Sequence, residues 1–383
     1  MKIVYARDPF PTEITSSIFL AGPTPRSGDT KGWRDDALKL LEDGGYQGHV
    51  FIPEPADGTW AENYDSQVEW EEDGLQRADC ILFWVPRDMD GMPGLTTNDE
   101  WGAWKGSGKC VFGAPPEAVK VRYQQSYAER LKVPSFTTLE ATVQAAMDAV
   151  GLGADRTGGE CQVPLEVWVL PSFQAWLTAQ KAAGNRLDGA KVNYTSRVSN
   201  GSIFLWILWV DVHIASEDRN KTNEFIVGRS DISAVVLWHP AATLADTEVV
   251  LVREFRSPAR TPDGFIWELP AGSSKDTQAP IQTALEELEE EAGIKLDQSR
   301  LKAHPFRQNA GTLSSFGAYV FSAEISAEEL ADVKSKMGVA RGIEEDSERT
   351  FIEVEKVGDL LQNPKTDWST LGMIFNVLAS AMR

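Results

Sequence analysis

The chain has 383 residues, a length that predicts two domains because single hydrophobic cores seldom grow so large. Hydrophobic residues make up 42% and charged residues 25% of the sequence, which is typical of globular proteins and excludes a disordered chain. The net charge of −20 argues against a general nucleic-acid-binding protein, since lysine and arginine hold phosphate backbones. The longest apolar run, Ile203–Val210, is too short to span a bilayer, and the N-terminus lacks a secretory pattern. We therefore expect a soluble, cytoplasmic protein.

The first 150 residues alternate short apolar runs with segments of helical spacing. The runs predicted as strands are Ser17–Ala21, Val50–Ile52, Cys80–Val85 and Cys110–Phe112. The segments predicted as helices are Trp33–Glu42, Gln67–Arg77 and Glu100–Lys105. This alternation predicts an α/β domain over residues 1–150, with a doubly wound, Rossmann-like parallel sheet covered on both faces. Its ligands are expected at the carboxyl ends of the strands.

A glycine-rich stretch at residues 151–159 is expected to link this domain to a second one. We assign residues 151–199 to the linker and to an extension packed on the second domain, and residues 200–383 to the second domain itself. The apolar runs predicted to form its mixed sheet are Ile203–Val210, Ile232–Trp238, Glu248–Val252 and Ala318–Phe321. One strong helix is predicted among these strands, over Ile281–Ala292.

This predicted helix carries an apolar stripe beside an acidic flank. Apolar side chains recur every three or four residues along one face: Ile281, Ala284, Leu285, Leu288 and Ala292. Glu287, Glu290 and Glu291 share a neighbouring face, where like charges repel by a few tenths of a kcal/mol per pair. A divalent cation would turn that repulsion into binding, because Mg²⁺ and Mn²⁺ favour carboxylate oxygens. A solvated acidic face without a metal is the alternative interpretation.

The spacing around the helix resembles the Nudix box, G-x5-E-x7-R-E-U-x-E-E-x-G-U. The residues in register are Gly272, Glu287, Leu288, Glu290, Glu291, Gly293 and Ile294. Upstream, the segments VREFRSP and ELPAG resemble the ADP-ribose pyrophosphatase branch of that family. The resemblance covers roughly residues 200–383. It implies a Nudix α/β/α sandwich that hydrolyses a nucleoside diphosphate derivative such as ADP-ribose.

The same resemblance implies a set of site residues. The ligands of Mg²⁺ or Mn²⁺ would be Glu268, the Ala271 carbonyl, Glu287 and Glu291, with the catalytic Glu290 close by. The substrate would be bound by Arg253 and Arg256. The general base would come from an acidic loop in which Glu345 is a candidate beside Glu344 and Glu348.

Two positions depart from the box. The box glutamate is Gln278, and the box arginine is Glu286. The second exchange puts an anion where the motif has a cation beside the metal ligands. Either the two changes compensate one another and the domain hydrolyses its substrate, or the domain is a weak hydrolase or a ligand sensor.

A second candidate site lies in the segment PGLTTNDEWGAW, residues 93–104. Backbone amides at a helix N-terminus favour anions, and Thr96 and Thr97 add hydroxyl donors. Glu100 is expected in the first helical turn, facing the ligand edge of the sheet; an acid that only complements the helix dipole is the alternative. Together with IFLAGP at residues 18–23 and RAD before ILFWV, the segment resembles the nucleoside 2-deoxyribosyltransferase-like superfamily over about residues 15–150.

This resemblance implies that Glu100 is the nucleophile that attacks the anomeric carbon of an N-glycosidic bond. Glu71 aligns with the acid that protonates the leaving base. The family's other aspartate is Gly94 here, with Asp90 or Asp99 as substitutes, and this puts base exchange in doubt.

The loop after the first strand supplies the remaining candidates for substrate binding: Gly22, Thr24, Arg26 and Ser27. Arg26 is the cation of this loop, so a 5′-phosphate substrate is favoured over a bare nucleoside. An arginine that is merely exposed to solvent in a Pro-Gly loop is the equal alternative.

The two resemblances together predict a bifunctional nucleotide-processing enzyme. We expect a homodimer, because both families commonly complete their sites across a dimer interface. A nucleotide-binding sensor, with one or both domains catalytically impaired, is the alternative from a different functional class.

Overall fold

The computed structural model describes residues 1–26, 30–60, 64–274, 278–342 and 349–381. These residues form two compact units, Met1–Ile226 and Val227–Arg383. The division falls after Ile226, later in the chain than the expected domain start at residue 200. Within the described ranges, no helix is both long enough and apolar enough to cross a membrane.

The first unit opens with a run of alternating strands and helices. Its first seven strands are β1 (Lys2–Tyr5), β2 (Glu13–Ile14), β3 (Ser17–Ala21), β4 (His49–Ile52), β5 (Cys80–Trp84), β6 (Cys110–Gly113) and β7 (Ser135–Phe136). Its first five helices are α1 (Arg34–Asp43), α2 (Asp65–Arg77), α3 (Leu95–Trp104), α4 (Arg122–Arg130) and α5 (Leu139–Val150).

Six of these strands form one parallel sheet in the order β1-β4-β3-β5-β6-β7. The chain runs from β3 to β4 on one side and then crosses to β5 on the other side of β3. The strand order therefore reverses between β3 and β5, and such a reversal opens a crevice at the carboxyl ends of the two strands. The doubly wound parallel sheet predicted from the sequence is confirmed.

Helices cover both faces of this sheet because successive strand residues point to opposite sides. Leu20 packs against α1 and α5, whose buried residues include Leu41 and Val143. Phe19, its neighbour in β3, packs on the opposite face with Trp70 of α2 and Trp101 of α3. Both strand residues are fully buried.

The segment expected to be a linker is part of the first unit's core. It forms β8 (Arg156–Thr157), α6 (Leu165–Trp168), α7 (Pro171–Ala182) and β9 (Arg186–Arg197). The next two strands, β10 (Ile203–Ile214) and β11 (Arg219–Gly228), were expected in the second domain. Strand β8 pairs with β2, and β11-β10-β9 form a separate three-stranded sheet. Trp206, Leu208 and Val210 bury one face of β10 in the first unit's core, together with Phe173 of α7. Contrary to the expectation, this strand is not part of the mixed sheet, and the extension packs in the first unit.

An ion pair between Arg156 and Asp79 anchors this segment to the parallel sheet. Both side chains are fully buried, with Arg156 Nη2 2.6 Å from Asp79 Oδ2 and Nη1 2.7 Å from Oδ1. The backbone amides of Ser17 and Leu165 also donate to the Asp79 carboxylate. The Arg156 guanidinium and these backbone donors together offset the cost of burying the carboxylate.

The second unit is built on a mixed sheet. Its strands are β12 (Ile232–His239), β13 (Glu248–Phe255), β14 (Phe265–Glu268), β15 (Ala271–Ser273), β16 (Lys302–Ala303), β17 (Arg307–Gln308), β18 (Gly317–Glu324), β19 (Ala340–Arg341) and β20 (Thr350–Lys356). Its helices are α8 (Pro280–Ala292), α9 (Ala327–Ser335), α10 (Val357–Leu360) and α11 (Trp368–Ala381). The main path runs β16-β18-β12-β13-β20-β19, with β12 and β18 parallel, and β14, β15 and β17 joining at its sides.

Helices lie on both faces of the mixed sheet, as in an α/β/α sandwich. Val235 and Leu237 of β12 pack against α8 and α9, while Val236 between them packs against α10 and α11. Helix α8 begins at a proline and ends at Gly293, which adopts the left-handed conformation at φ 60°. The helix predicted over Ile281–Ala292 and the α/β/α sandwich are both confirmed.

Candidate active sites

The crevice between β3 and β5 holds a cavity of about 410 Å³. Six of the residues predicted for the first site line it: Gly22, Thr24, Arg26, Glu71, Thr96 and Glu100. They come from the loop after β3, from α2 and from α3, which are far apart in sequence. The parallel sheet brings them together because all its strands end at the same edge.

Two glycines shape the walls of this cavity. A Cβ on Gly22, whose φ is 152°, would lie 2.2 Å from the backbone oxygen of Trp84, so the loop after β3 passes close to the end of β5. Gly94 takes the left-handed conformation at φ 57° and starts α3 at Leu95. Glu100 therefore lies in the second helical turn. The expected first-turn position is wrong, since the turn at Gly94 starts the helix five residues earlier than predicted.

Arg34 also lines the cavity. The sequence patterns did not identify it as a site residue. Its guanidinium donates to Thr24 Oγ1 at 3.1 Å, to the Gly22 carbonyl at 2.8 Å and to Glu54 Oε1 at 2.5 Å. The side chain is 95% buried, and burial lowers its pKa while the charges of Glu54, Glu100 and Glu71 raise it. Arg34 thus brings positive charge to the two candidate carboxylates and fixes the loop after β3.

The sequence held one signal for this role. Arg34 lies in helical register with Ala37 and Leu41, the other two buried residues of α1. A cation on the buried stripe of a helix requires an acidic partner. The partner, Glu54, follows a different strand, β4. The sequence alone does not show that Glu54 lies next to Arg34 in the folded protein.

Burial and, to a smaller extent, repulsion by Glu71 raise the pKa of Glu100 to about 7, although the charge of Arg34 lowers it. Burial also raises the pKa of Glu71, although a hydrogen bond from Gln67 Nε2 at 2.6 Å and the charge of Arg34 lower it. Tyr64 belongs to the same cluster. Its pKa is raised mainly by burial and also by the charges of Glu71 and Glu100. Two carboxyl groups with raised pKa values in one cavity are suited to proton transfer and nucleophilic attack.

The remaining predicted residues of the first site have varied positions. Thr97 is 99% buried and does not line the cavity, in contrast to Thr96. Ser27 lies outside the described residues. The proposed substitutes for the missing family aspartate, Asp90 and Asp99, are exposed and do not line the cavity either.

In the second unit, Glu287 and Glu291 of α8 converge on Ala271 and Gly272, the first two residues of β15. The Ala271 amide donates to Glu291 Oε2 at 2.9 Å, and Glu291 is 98% buried. A Cβ on Gly272 would lie 1.8 Å from Glu287 Oε1, so only glycine leaves room for this carboxylate. The box glycine and two box glutamates therefore form one group, as the spacing predicts. Glu290 lies on the exposed side of the helix.

Arginines occupy the rest of this acidic region. Arg256 Nη2 lies 2.9 Å from Glu268 Oε2 and 2.8 Å from Glu254 Oε2, and it also interacts with the charge of Glu291. Arg253 donates to Glu353 Oε1 at 2.8 Å, and its guanidinium carbon lies 4.8 and 4.5 Å from the ring centres of two phenylalanines. Both predicted substrate-binding arginines are thus engaged with carboxylates.

The donor set suits a hard divalent cation in part. Carboxylate oxygens of Glu287 and Glu291 lie beside Ala271 and Gly272 at the start of β15, and oxygen is the donor that Mg²⁺ prefers. The third expected carboxylate, Glu268, binds Arg256 instead. Over the described ranges, no three acidic, histidine or cysteine side chains are arranged to hold a metal ion. The expected base Glu345, with Glu344 and Glu348, lies outside the described residues.

The two residues that depart from the Nudix box contact each other. Gln278 Nε2 lies 3.1 Å from Glu286 Oε2 and 2.9 Å from Thr283 Oγ1. The motif has a glutamate at position 278 and an arginine at position 286. Here the donor and acceptor are swapped, because the Gln278 amide donates to the Glu286 carboxylate. The contact supports the interpretation that the two changes compensate one another.

Comparison with protein families agrees with both architectures. Residues 15–118 match the family model described as "Nucleoside 2-deoxyribosyltransferase like", and residues 234–367 match the NUDIX domain model. No curated protein matches the chain. The chain therefore carries an N-terminal nucleoside 2-deoxyribosyltransferase-like domain and a C-terminal NUDIX domain, two domain types of nucleotide processing.

Proposed function

We propose that the chain is a bifunctional nucleotide-processing enzyme. Its NUDIX domain hydrolyses a nucleoside diphosphate derivative of the ADP-ribose type, and its N-terminal domain cleaves or transfers an N-glycosidic bond. The observation that carries the proposal is the cavity holding Glu100 and Glu71 beside Arg34. A nucleoside monophosphate released by the first reaction belongs to the substrate class of the second.

In the N-terminal domain, Glu100 is the nucleophile. Its carboxylate oxygen forms a bond to the anomeric carbon while the carbon–nitrogen bond to the base breaks. Glu71 gives its proton to the leaving nitrogen. Water, or a second base, then attacks the glycosyl ester, Glu71 takes up the proton of the attacking group, and Glu100 is regenerated as a carboxylate.

The charges of the cavity support these two roles. A pKa of about 7 leaves roughly half of the Glu100 side chains ionised at neutral pH, and Arg34 favours that ionised form. The raised pKa of Glu71 favours its protonated form, which the leaving base requires. Arg26 lies on the cavity wall and is exposed, so it can contact a 5′-phosphate of the substrate.

In the NUDIX domain, Glu287, Glu291 and the Ala271 carbonyl would hold Mg²⁺ or Mn²⁺, joined by Glu268 after it exchanges Arg256 for the ion. A bound divalent ion would neutralise the pyrophosphate oxygens and favour ionisation of the attacking water. Arg256 would then be available to bind the negative charge of the substrate's pyrophosphate. The Arg256–Glu268 pair would thus link metal binding to substrate binding.

A nucleotide sensor is the second candidate function. The pairing of Glu268 with Arg256 favours it, because a carboxylate neutralised by arginine has less need of a metal. Isothermal titration calorimetry distinguishes the two functions. Tight nucleotide binding without turnover, unchanged in Glu100→Ala and Glu291→Gln proteins, would establish the sensor.

Chromatography of products tests the enzyme. The full chain is incubated with Mg²⁺ and a panel of nucleoside monophosphates and nucleoside diphosphate derivatives. Glu100→Ala should abolish release of free base and leave diphosphate cleavage intact, whereas Glu291→Gln should have the opposite effect. The side-chain oxygen that remains after Glu291→Gln can still accept the Ala271 hydrogen bond, so loss of activity reports on charge rather than on folding.

Matched controls use exposed glutamates on helices that contribute to the two sites. Glu69→Gln alters α2 near Glu71, and Glu289→Gln alters α8 between the box glutamates, where Glu289 pairs with the surface residue Lys295 at 2.6 Å. Both controls should retain both activities. Wild-type protein that yields neither free base nor a diphosphate cleavage product would refute the proposal.

A further inference from the structure

A second cavity, of about 510 Å³, adjoins the one that holds Glu100. Pro93 and Leu95 line both cavities. Along α3, Asn98 and Lys105 face the second cavity, while Glu100 faces the first, and their spacing puts these residues on different faces of the helix. The second cavity is therefore separate from the proposed glycosidic site but built on the same helix.

The lining of the second cavity is positively charged, whereas the whole chain is negatively charged. Arg87, Lys105 and Lys120 contribute three cations, and among the described residues that line the cavity there is no aspartate or glutamate. The whole chain carries a net charge of −20. A cavity with positive walls in an acidic protein attracts small anions, since its low-dielectric walls concentrate the local field.

The polar part of this cavity is held in place. Arg87 is 95% buried, and its guanidinium donates to Asn98 Oδ1 at 2.6 Å and to the Lys120 carbonyl at 3.1 Å. Within the described part of the chain, Arg87 Nε and Trp101 Nε1 have no hydrogen-bond partner, although both side chains are nine-tenths buried or more. Both atoms lie beneath the cavity surface, so the cations of the lining that a ligand can reach are Lys105 and Lys120.

Aromatic rings form the outer part of the cavity. Tyr123 is 75% exposed, and its ring centre lies 5.3 Å from that of Tyr127. Lys105 Nζ lies 5.0 Å from the Tyr127 ring centre, which puts a cation directly beside the aromatic surface. Exposed tyrosine rings stack on planar aromatic groups, and a nearby cation suits a phosphate attached to such a group.

We propose that this second cavity binds an anionic aromatic molecule of the nucleoside monophosphate class. The cavity volume lies within the usual range for small-molecule sites. The phosphate lies against Lys105 and Lys120, and the base stacks on Tyr123. Because the ligand contacts α3, its binding also constrains the helix that carries Glu100. This site goes beyond the proposed glycosidic reaction and does not depend on it.

Calorimetric titration of the full chain tests the site. The protein carries Glu100→Gln to prevent turnover, and the probes are four nucleoside 5′-monophosphates, adenosine and inorganic phosphate. Because the first cavity is itself proposed to take nucleoside monophosphates, the titration should show two binding sites. Lys105→Ala and Tyr123→Ala should each weaken one of them about tenfold or more, the usual cost of a lost charged contact or a lost stacking partner, and leave the other unchanged. Adenosine and inorganic phosphate should bind more weakly than the monophosphate, since each carries only one of the two recognised groups.

Arg122→Ala is the matched control, because Arg122 is an exposed cation next to Tyr123 that does not line the cavity. Its affinity for the monophosphate should equal that of the parent protein. Equal affinities in all three variants would overturn the proposal. A lower molecular mass for Tyr123→Ala in light scattering would also overturn it, because the face would then be a subunit interface.

Discussion

Replacing Glu100 by glutamine should stabilise the protein, by an amount that grows with pH. The pKa of Glu100 rises from 4.5 to about 7 in the folded protein, chiefly because the carboxyl is buried. Below pH 4.5 the group is protonated in both states and has little effect on stability. Between pH 4.5 and 7 the unfolded chain ionises first, so the folded state loses stability as pH rises. The loss reaches about 1 kcal/mol at pH 5 and about 3 kcal/mol at pH 8.

Glutamine has the shape of glutamate but does not titrate, so Glu100→Gln removes this loss. Urea unfolding followed by tryptophan fluorescence at pH 5 and pH 8 measures the effect. The signal reports mainly on the first unit, which contains ten of the 13 tryptophans; the other three are Trp238, Trp267 and Trp368. The measurement needs no substrate and is therefore independent of the proposed reactions.

Glu69→Gln, an exposed substitution on α2, controls for the removal of one carboxylate. Its stability relative to wild type should change by less than about 0.5 kcal/mol between the two pH values. A Glu100→Gln protein whose advantage is the same at pH 5 and pH 8 would refute the reasoning. The Glu100 carboxyl would then be hydrated or paired in the folded protein.

Three further changes test other parts of the structure. Arg34→Gln removes the cation that lowers the pKa of Glu100, so the acidic limb of the base-release activity should move to higher pH in a pH–rate profile; an unmoved limb would contradict this. Arg156→Met leaves Asp79 buried and unpaired and should lower the free energy of unfolding by about 3–5 kcal/mol in urea, and adding Asp79→Asn should recover part of the loss. Mg²⁺ at ten times its dissociation constant should stabilise the NUDIX domain by about 1.4 kcal/mol in thermal unfolding, and Glu291→Gln should abolish this gain; an equal gain in both proteins would place the ion elsewhere.

Local patterns predicted much of the fold. The apolar stripe of α8 has a strict period, and a glycine ends the helix, so its bounds differ from the prediction by a single residue. The strands of the parallel sheet are short apolar runs, of which Ser17–Ala21 matches the structure at both ends. Such features depend on neighbours within one turn or one strand, and these neighbours are visible in the sequence.

The remaining features depend on contacts between distant residues. Residues 151–159 resemble a linker by composition. Arg156 is nevertheless fully buried, because it forms an ion pair with Asp79, 77 positions earlier in the chain. Strand β10 was assigned to the second domain because it is apolar, and an apolar strand does not reveal which sheet it joins. The sequence indicates Arg26 rather than Arg34 as the cation of the site, because Arg34 meets its partner Glu54 only in the folded chain.

The two arginines of the cavity between β3 and β5 differ in how far the surrounding structure constrains them. Arg34 holds the Gly22 carbonyl, the Thr24 hydroxyl and the Glu54 carboxylate at once, so any replacement disturbs the loop as well as the charge on Glu100. Arg26 is exposed on the cavity wall and can be exchanged at little cost to folding. Under the proposed function, a substitution at Arg26 would change contacts with the 5′ end of the substrate, whereas a substitution at Arg34 would also disturb the loop after β3.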